Sequence, residues 1–123
     1  MGRKKITAAP VPVEYIRECF ACRQDGQLIW RERPRDHFPH RADDTARFNN
    51  QRAGSEAGFR GPNGRLMVRI QFEERTRRIA ASRVAWVLAT GQWPSGPVLP
   101  RNGVDDDLRF ENLIGHQGGS ASV

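Results

Sequence analysis

The chain has 123 residues, 37% of them hydrophobic and 28% charged, a length and balance that suit one small domain with a modest core. No apolar run approaches the roughly 18 residues that a membrane span needs. The N-terminal "MGRKKITAAPVP" is basic but lacks an apolar signal core, so a cytoplasmic protein with no membrane partner is expected.

Lysine and arginine number 20 against 14 acidic residues, a formal +6, and 18 of the 20 are arginine. Arginine offers phosphate a planar, bidentate fork and stacks on bases, whereas lysine is a point charge. Between Arg65 and Arg83 six arginines face two acids, a local +4. Nucleic acid is the natural partner of such a patch, and a merely solvated basic face is the alternative.

Residues 1–12 form a predicted flexible basic arm carrying Arg3, Lys4 and Lys5. Apolar residues at 13, 16 and 20, with Tyr15 and Cys19 beside them, predict a short amphipathic helix over 13–22. Asp25-Gly26 signals a turn, and Leu28 to Glu32 a strand halted by Pro34. Residues 34–63 are polar and mostly loop, with a short helix near 44–50 and a short strand near 56–60. Asn63-Gly64 is a second turn. Leu66, Val68, Ile70 and Phe72 then alternate with Met67, Arg69 and Gln71, the period of a strand with one buried face.

Glu73 to Arg75 close a predicted hairpin, and Thr76 to Ala81 form its return strand. Ser82 can cap the next helix. Val84, Val87 and Leu88 mark that helix's inner stripe, and Gly91 ends it. Val98-Leu99 is expected to pair with a residue or two beyond Gly103. A helix from about Leu108 to Ile114 follows, and the tail 116–123 is expected to be disordered.

Three groupings could carry chemistry. Cys19-x-x-Cys22 and His37-x-x-His40 could form a Cys2His2 zinc site, but both cysteines on one helix are also explained as small core residues. Trp30, Trp86 and Trp93 could stack bases, although each borders an apolar segment and core packing is the simpler role. Asp105, Asp106 and Asp107 could hold Mg2+, but consecutive aspartates point in different directions, as in a solvated turn.

The run "RIAASRVAWVLATGQWPSGPVLPRNGVDDDLRFENLIG" resembles the HNH endonucleases common in phages and in bacterial genomes carrying phage genes. The usual run there is similar to "AHRLAW…TGxWPxxxxDHxNxxxxDNRxxNLR". The lead-in "YIRECFACRQDGQLIWRERPRDHF" and "RFNNQRAGSEAGF" extend the likeness over about residues 15–115. The resemblance implies an α+β fold: a lead-in region at 13–63, then at 64–115 a hairpin and a ββα-metal motif. In that family a divalent ion stabilises charge on the phosphate and a histidine deprotonates water.

The reactive positions of the motif are altered here. Leu99 stands at the Asp metal ligand, Pro100 at the general-base His, Ser82 at the earlier His and Leu108 at the Asn between Asp107 and Arg109. Asn112 keeps the Asn whose usual work is to hold the loop by hydrogen bonds. The last metal ligand would fall at Ser120-Ala121; of the two histidines that could substitute, His116 and His37, His116 could approach the site, but no carboxylate ligand accompanies it at the matching position. Leucine cannot bind Mg2+ and proline cannot accept a proton.

The expectation is therefore a catalytically inactive, HNH-like nucleic-acid-binding protein without a cofactor. Its partner would be double-stranded DNA, held by Arg69, Arg77, Arg78, Arg83, Arg101 and Arg109 with the arm. Two other readings stay open. One is a protein-interaction module or phage-type inhibitor of a host nuclease or nucleoprotein, with Leu99 and Pro100 in its interface. The other is a metal-dependent DNA endonuclease using other residues.

Overall fold

The predicted alternation after Asn63-Gly64 becomes the middle strand of the largest sheet in the computed structural model, which describes residues 11–38, 42–73 and 75–115. In chain order the elements are α1 (Val13–Cys19), β1 (Phe20–Cys22), β2 (Leu28–Trp30), α2 (Ala42–Arg52), β3 (Phe59–Arg60), β4 (Leu66–Phe72) and β5 (Arg75–Ala80). There follow α3 (Ala81–Thr90), β6 (Leu99–Pro100) and β7 (Leu113–Ile114). All pairing is antiparallel: β1 with β2, β3-β4-β5 as one sheet, and β6 with β7. The domain is thus a small α+β unit.

β4 buries Val68 and Ile70 beneath α3 and turns Met67, Arg69 and Gln71 outward. β5 returns from Arg75 to Ala80, one residue earlier than the sequence predicts, with Arg69 opposite Arg78 and Gln71 opposite Thr76. α3 is the centre of the core. Ala81, Ser82, Val84, Ala85, Trp86 and Val87 are all buried, because α1, β1, β4 and β5 surround the helix. That breadth exceeds the predicted stripe, and Leu88 is only half-buried. Gly91 ends the helix in the left-handed conformation (φ 77°), its N–H donating to Val87.

Ser82 is not the helix cap. The helix begins two residues earlier than that cap would allow, after Ala80, and the buried Ser82 hydroxyl donates instead to the Val98 carbonyl at 2.9 Å. That bond fixes the approach of the chain to β6.

The first helix is shorter than its apolar spacing predicts. Phe20 leaves the helical region (φ −133°, ψ 154°) and pairs with Trp30 across β1 and β2, their ring centroids 4.6 Å apart. Burying this aromatic pair outweighs one more helical turn. The fold also starts before residue 13: Val11 is buried and Pro12 precedes the helix. β2 ends at Trp30 rather than Glu32. Trp30 and Trp86 belong to the core, and Trp93 packs half-buried against it.

The polar stretch 34–63 holds more structure than expected. α2 covers Ala42–Arg52, beyond the predicted 44–50, and Phe48 packs it against the core. Asn49 grips the backbone of Arg33 in both directions, its Oδ1 accepting from the N–H at 2.8 Å and its Nδ2 donating to the carbonyl at 3.1 Å. The strand expected near 56–60 shrinks to Phe59–Arg60, with a single bridge from Glu56 to Ile29.

The C-terminal region departs most from the sequence reading. Leu99 pairs with Ile114 and Pro100 with Leu113, not with residues just past Gly103. The helix expected over 108–114 is a single 3-10 turn at Phe110–Asn112. Asn112 is the reason. Its carbonyl accepts from Arg101 N–H at 2.6 Å, its side-chain oxygen from Asn102 N–H at 3.0 Å, and its Nδ2 donates to the Asp107 carbonyl at 2.9 Å. The loop between the strands closes on this one buried side chain. His116, the expected last-ligand position at Ser120-Ala121 with the rest of the tail 116–123, and the arm residues 1–10 lie outside the described residues.

Candidate nucleic-acid interface

The basic residues divide into two populations. Arg23 pairs with Asp25 and Glu56, Arg60 with Asp105 and Asp106, Arg65 with Asp105, Arg47 with Asp44, and Arg109 with Asp107 and Glu111. Arg69, Arg78 and Arg83 make no ion pair among the described residues. Pairing consumes the acids near the β1–β2 turn and the 101–109 loop and leaves the positive surplus on β4, β5 and the start of α3.

The outer face of that sheet carries Phe59, Met67, Arg69 and Arg78 in register. The Arg69 guanidinium lies over the Phe59 ring, 4.7 Å from its centroid. Phe59, Arg60, Gly61, Pro62, Asn63, Met67, Arg69 and Arg78 line an open groove along this face. The stacked Arg69 holds its fork in a fixed plane while remaining exposed to solvent.

Arg77 turns the other way. Opposite Ile70, it lies over the Phe72 ring at 5.4 Å, with Glu73 at 4.0 Å. Arg83 donates to the Gly96 carbonyl at 2.8 Å and stands 5.9 Å from the centroid of Trp93. Arg77, Arg78, Arg83 and Trp93 share a second pocket with Val11 and Ile79. Four of the six predicted phosphate contacts therefore gather around β5.

Arg101 and Arg109 lie apart from these, in the β6–β7 loop. Asp107 grips Arg109 through Nε at 2.8 Å and NH2 at 2.7 Å. This fork holds the Asp107 carboxyl down at about 2, and Asn102 adds to the effect. Arg109 is thus engaged in shaping the loop. Arg101 is exposed, and among the described residues its side chain reaches only the Glu111 carbonyl, at 3.3 Å. Arg3, Lys4 and Lys5 lie outside the described residues.

The three aspartates do not form a solvated turn. Asp105 accepts from the Leu66 N–H at 2.7 Å and from Arg60, Asp106 accepts from Arg60, and Asp107 holds Arg109. Asp105 and Asp106 tie the β6–β7 loop to β3 and the start of β4, sharing Arg60, while Asp107 braces the loop from within through Arg109.

Where the resemblance places a metal and a base, Leu99 is 48% exposed and its cross-strand neighbour Ile114 is 45% exposed, with Pro100 half-buried beside them. Ser82 reaches the same strand through Val98. Leu108 is buried. None of these side chains offers a carboxylate or an imidazole.

The suggested zinc ligands separate. Cys19 ends α1 and meets His37, with Sγ 3.7 Å from Nδ1. Cys22 ends β1 and faces the Leu108 carbonyl instead. The two cysteines are not on one helix, because β1 intervenes. His40 lies outside the described residues. Arg33 Nε–H donates to His37 Nδ1 at 3.0 Å, so that nitrogen must accept and Nε2–H faces Glu18 at 2.7 Å. Glu18, Asp36 and His37 converge closely enough to consider a cation, but the Arg33 cation already occupies the histidine's second nitrogen. Burial drives the Cys19 thiol up to about 12 against the pull of Arg33. A thiol so protonated is a poor ligand and a poor nucleophile.

Sequence reasoning missed the surroundings of Arg33. Its guanidinium is buried among Tyr15, Trp30, Phe38 and Phe48, with ring centroids at 4.7–5.8 Å. It also donates to the Tyr15 hydroxyl at 2.9 Å. The roles of Phe59 and Trp93 beside Arg69 and Arg83 were equally hidden, since cross-strand register and the α3 exit decide them. In comparisons with known proteins, no family model, no curated protein and no solved structure matches the chain.

Proposed function

We propose that this protein binds nucleic acid, with double-stranded DNA as its target, and does so without cleaving it. The observation that carries the reading is the Arg69–Arg78 cross-strand pair: two exposed guanidinium groups directly opposed, unneutralised among the described residues, with an aromatic ring beneath one of them. Like charges face one another in a sheet at a cost, and a polyanion laid across them removes that cost. Arg83 and Arg77 extend the basic track around β5.

The absence of cleavage follows from residue chemistry. On the HNH resemblance, Leu99 and Pro100 replace the metal ligand and the base. Loss of a general base alone lowers a rate by about 10²- to 10⁴-fold. The β6–β7 hairpin closed by Asn112 keeps the loop in shape without them. The chain is then a binding scaffold of HNH type, acting as a regulator or accessory factor.

Anisotropy with a short labelled duplex, titrated from low to high salt, tests the binding. Neutralising about four phosphates gives a log–log slope near −3.6, and affinity that ignores salt would sink the proposal. Supercoiled plasmid with Mg2+, Mn2+ or Zn2+ should remain intact. A second reading, a protein-binding module, draws on the exposed Leu99–Ile114 pair; a stoichiometric protein complex formed without nucleic acid would favour it.

A further inference from the structure

We infer that the pocket between β5 and the exit of α3 receives a single unpaired nucleotide of a bound nucleic-acid strand, its base against Trp93 and its phosphate on Arg78 and Arg83. The inference rests on the nucleic-acid reading and goes further, since it assigns a ligand to a separate pocket. Trp93 is half-exposed, whereas the other two tryptophans are buried. Its Nε1–H donates to the Val11 carbonyl at 2.7 Å, which fixes the plane of the indole. Arg83 is held over that ring by its bond to Gly96, and Arg78 lines the same pocket. The pocket is an open groove with a volume of about 430 Å³, within the ~300–1,000 Å³ typical of small-ligand sites.

The combination discriminates between ligands. A duplex exposes its phosphates but hides its base faces in the stack, so an indole gains nothing from intact B-form DNA. An unpaired base exposes a face that an aromatic ring can stack on. The guanidinium groups at 78 and 83 supply the phosphate contact within one nucleotide's reach. Arg78 also lines the outer groove with Arg69, so a strand following the sheet face passes the mouth of this pocket. Simple anions satisfy the arginines but leave the indole unused.

The test compares a plain duplex with the same duplex carrying a one-nucleotide bulge, in anisotropy and in tryptophan fluorescence. The bulged duplex should bind about tenfold more tightly and quench the accessible tryptophan, while the plain duplex should not quench. Trp93→Leu should bring the affinity ratio close to one, and Trp93→Phe, which keeps a ring, should restore most of it. Equal affinity for both duplexes with no quenching by the bulge overturns the inference while leaving duplex binding in place. If neither duplex binds, the underlying nucleic-acid reading fails as well. Quenching by free dAMP at the same concentrations as the bulged duplex overturns the assignment to a strand. Should Trp93→Leu fail to fold, the wild-type quenching comparison still decides.

Discussion

Arg69 and Arg78 stand directly opposite each other on the outer face of the β4–β5 hairpin, and no acid among the described residues separates their charges. Arg69 is further positioned by Phe59, whose ring lies 4.7 Å from the guanidinium carbon. A pair selected for stability alone would place opposite charges or β-branched residues there, each worth roughly 0.2–1 kcal/mol.

Arg78→Thr should therefore separate stability from binding. Threonine suits a strand and removes the repulsion, so the urea midpoint should rise, by up to about 1 kcal/mol of stability. Duplex affinity should fall, and the salt slope should lose about one unit. Tighter binding, or a slope identical to wild type, would remove Arg78 from the interface.

Asn112 makes a second prediction. It is buried, and its side chain bridges Asn102 N–H and the Asp107 carbonyl. Asn112→Leu leaves both without their partner and should cost about 2 kcal/mol, read as a drop in the urea midpoint. Asn112→Asp should be no better, since it turns an oxygen toward the Asp107 carbonyl where an amide had donated. A neutral effect of either change would show that the turn is held by backbone bonds alone.

These two sites differ in how far the sequence disclosed them. The alternation from Leu66 to Phe72 fixes which residues face outward, so Arg69 was legible as an exposed strand residue. Its partner was not, because a one-residue shift in the return strand exchanges Arg77 and Arg78 between faces. The β6–β7 pairing was hidden for another reason. Two-residue strands carry no period, and the turn between them is shaped by side-chain bonds from Asp107 and Asn112 rather than by apolar spacing. α2 was underestimated because only Phe48 among its central residues is hydrophobic and packed. Arg33 shows the limit of composition: an arginine is expected at the surface, and four aromatic rings brought together by separate elements bury it.

The two cysteines should differ in reactivity. Cys19 is fully buried, and its thiol is pushed up to about 12 by that burial. Cys22 is exposed at the end of β1, with its thiol raised first by partial burial and then by Asp25, Asp107 and Glu111. A disulfide-exchange reagent at pH 8 should titrate one thiol in the native protein, slowly, and two in urea. Two rapid equivalents without denaturant would mean that α1 opens readily.

His37 gives the fold a defined sensitivity to acid. The imidazole side chain is 2% exposed, stacked on Tyr15 with centroids 3.9 Å apart, and accepts from Arg33 at Nδ1. Burial lowers its pKa most; Glu18 pulls it upward, and Arg33 pushes it down again. The geometry agrees with the net lowering, because protonation would set two donors and two positive charges face to face. The unfolded chain takes up the proton near the ordinary histidine value of about 6.5, while the folded chain resists until lower pH. Stability is thus fully present above about 6.5 and declines as pH falls toward and through the folded value. The urea midpoint should drop between pH 7.5 and 5.5, above the range in which Asp25 and Asp107, both held below their ordinary values, titrate. His37→Gln, whose side-chain oxygen can still accept from Arg33, should flatten that dependence and so separate it from His40 and His116. A wild-type midpoint constant across the interval would show that His37 is not held neutral by the fold.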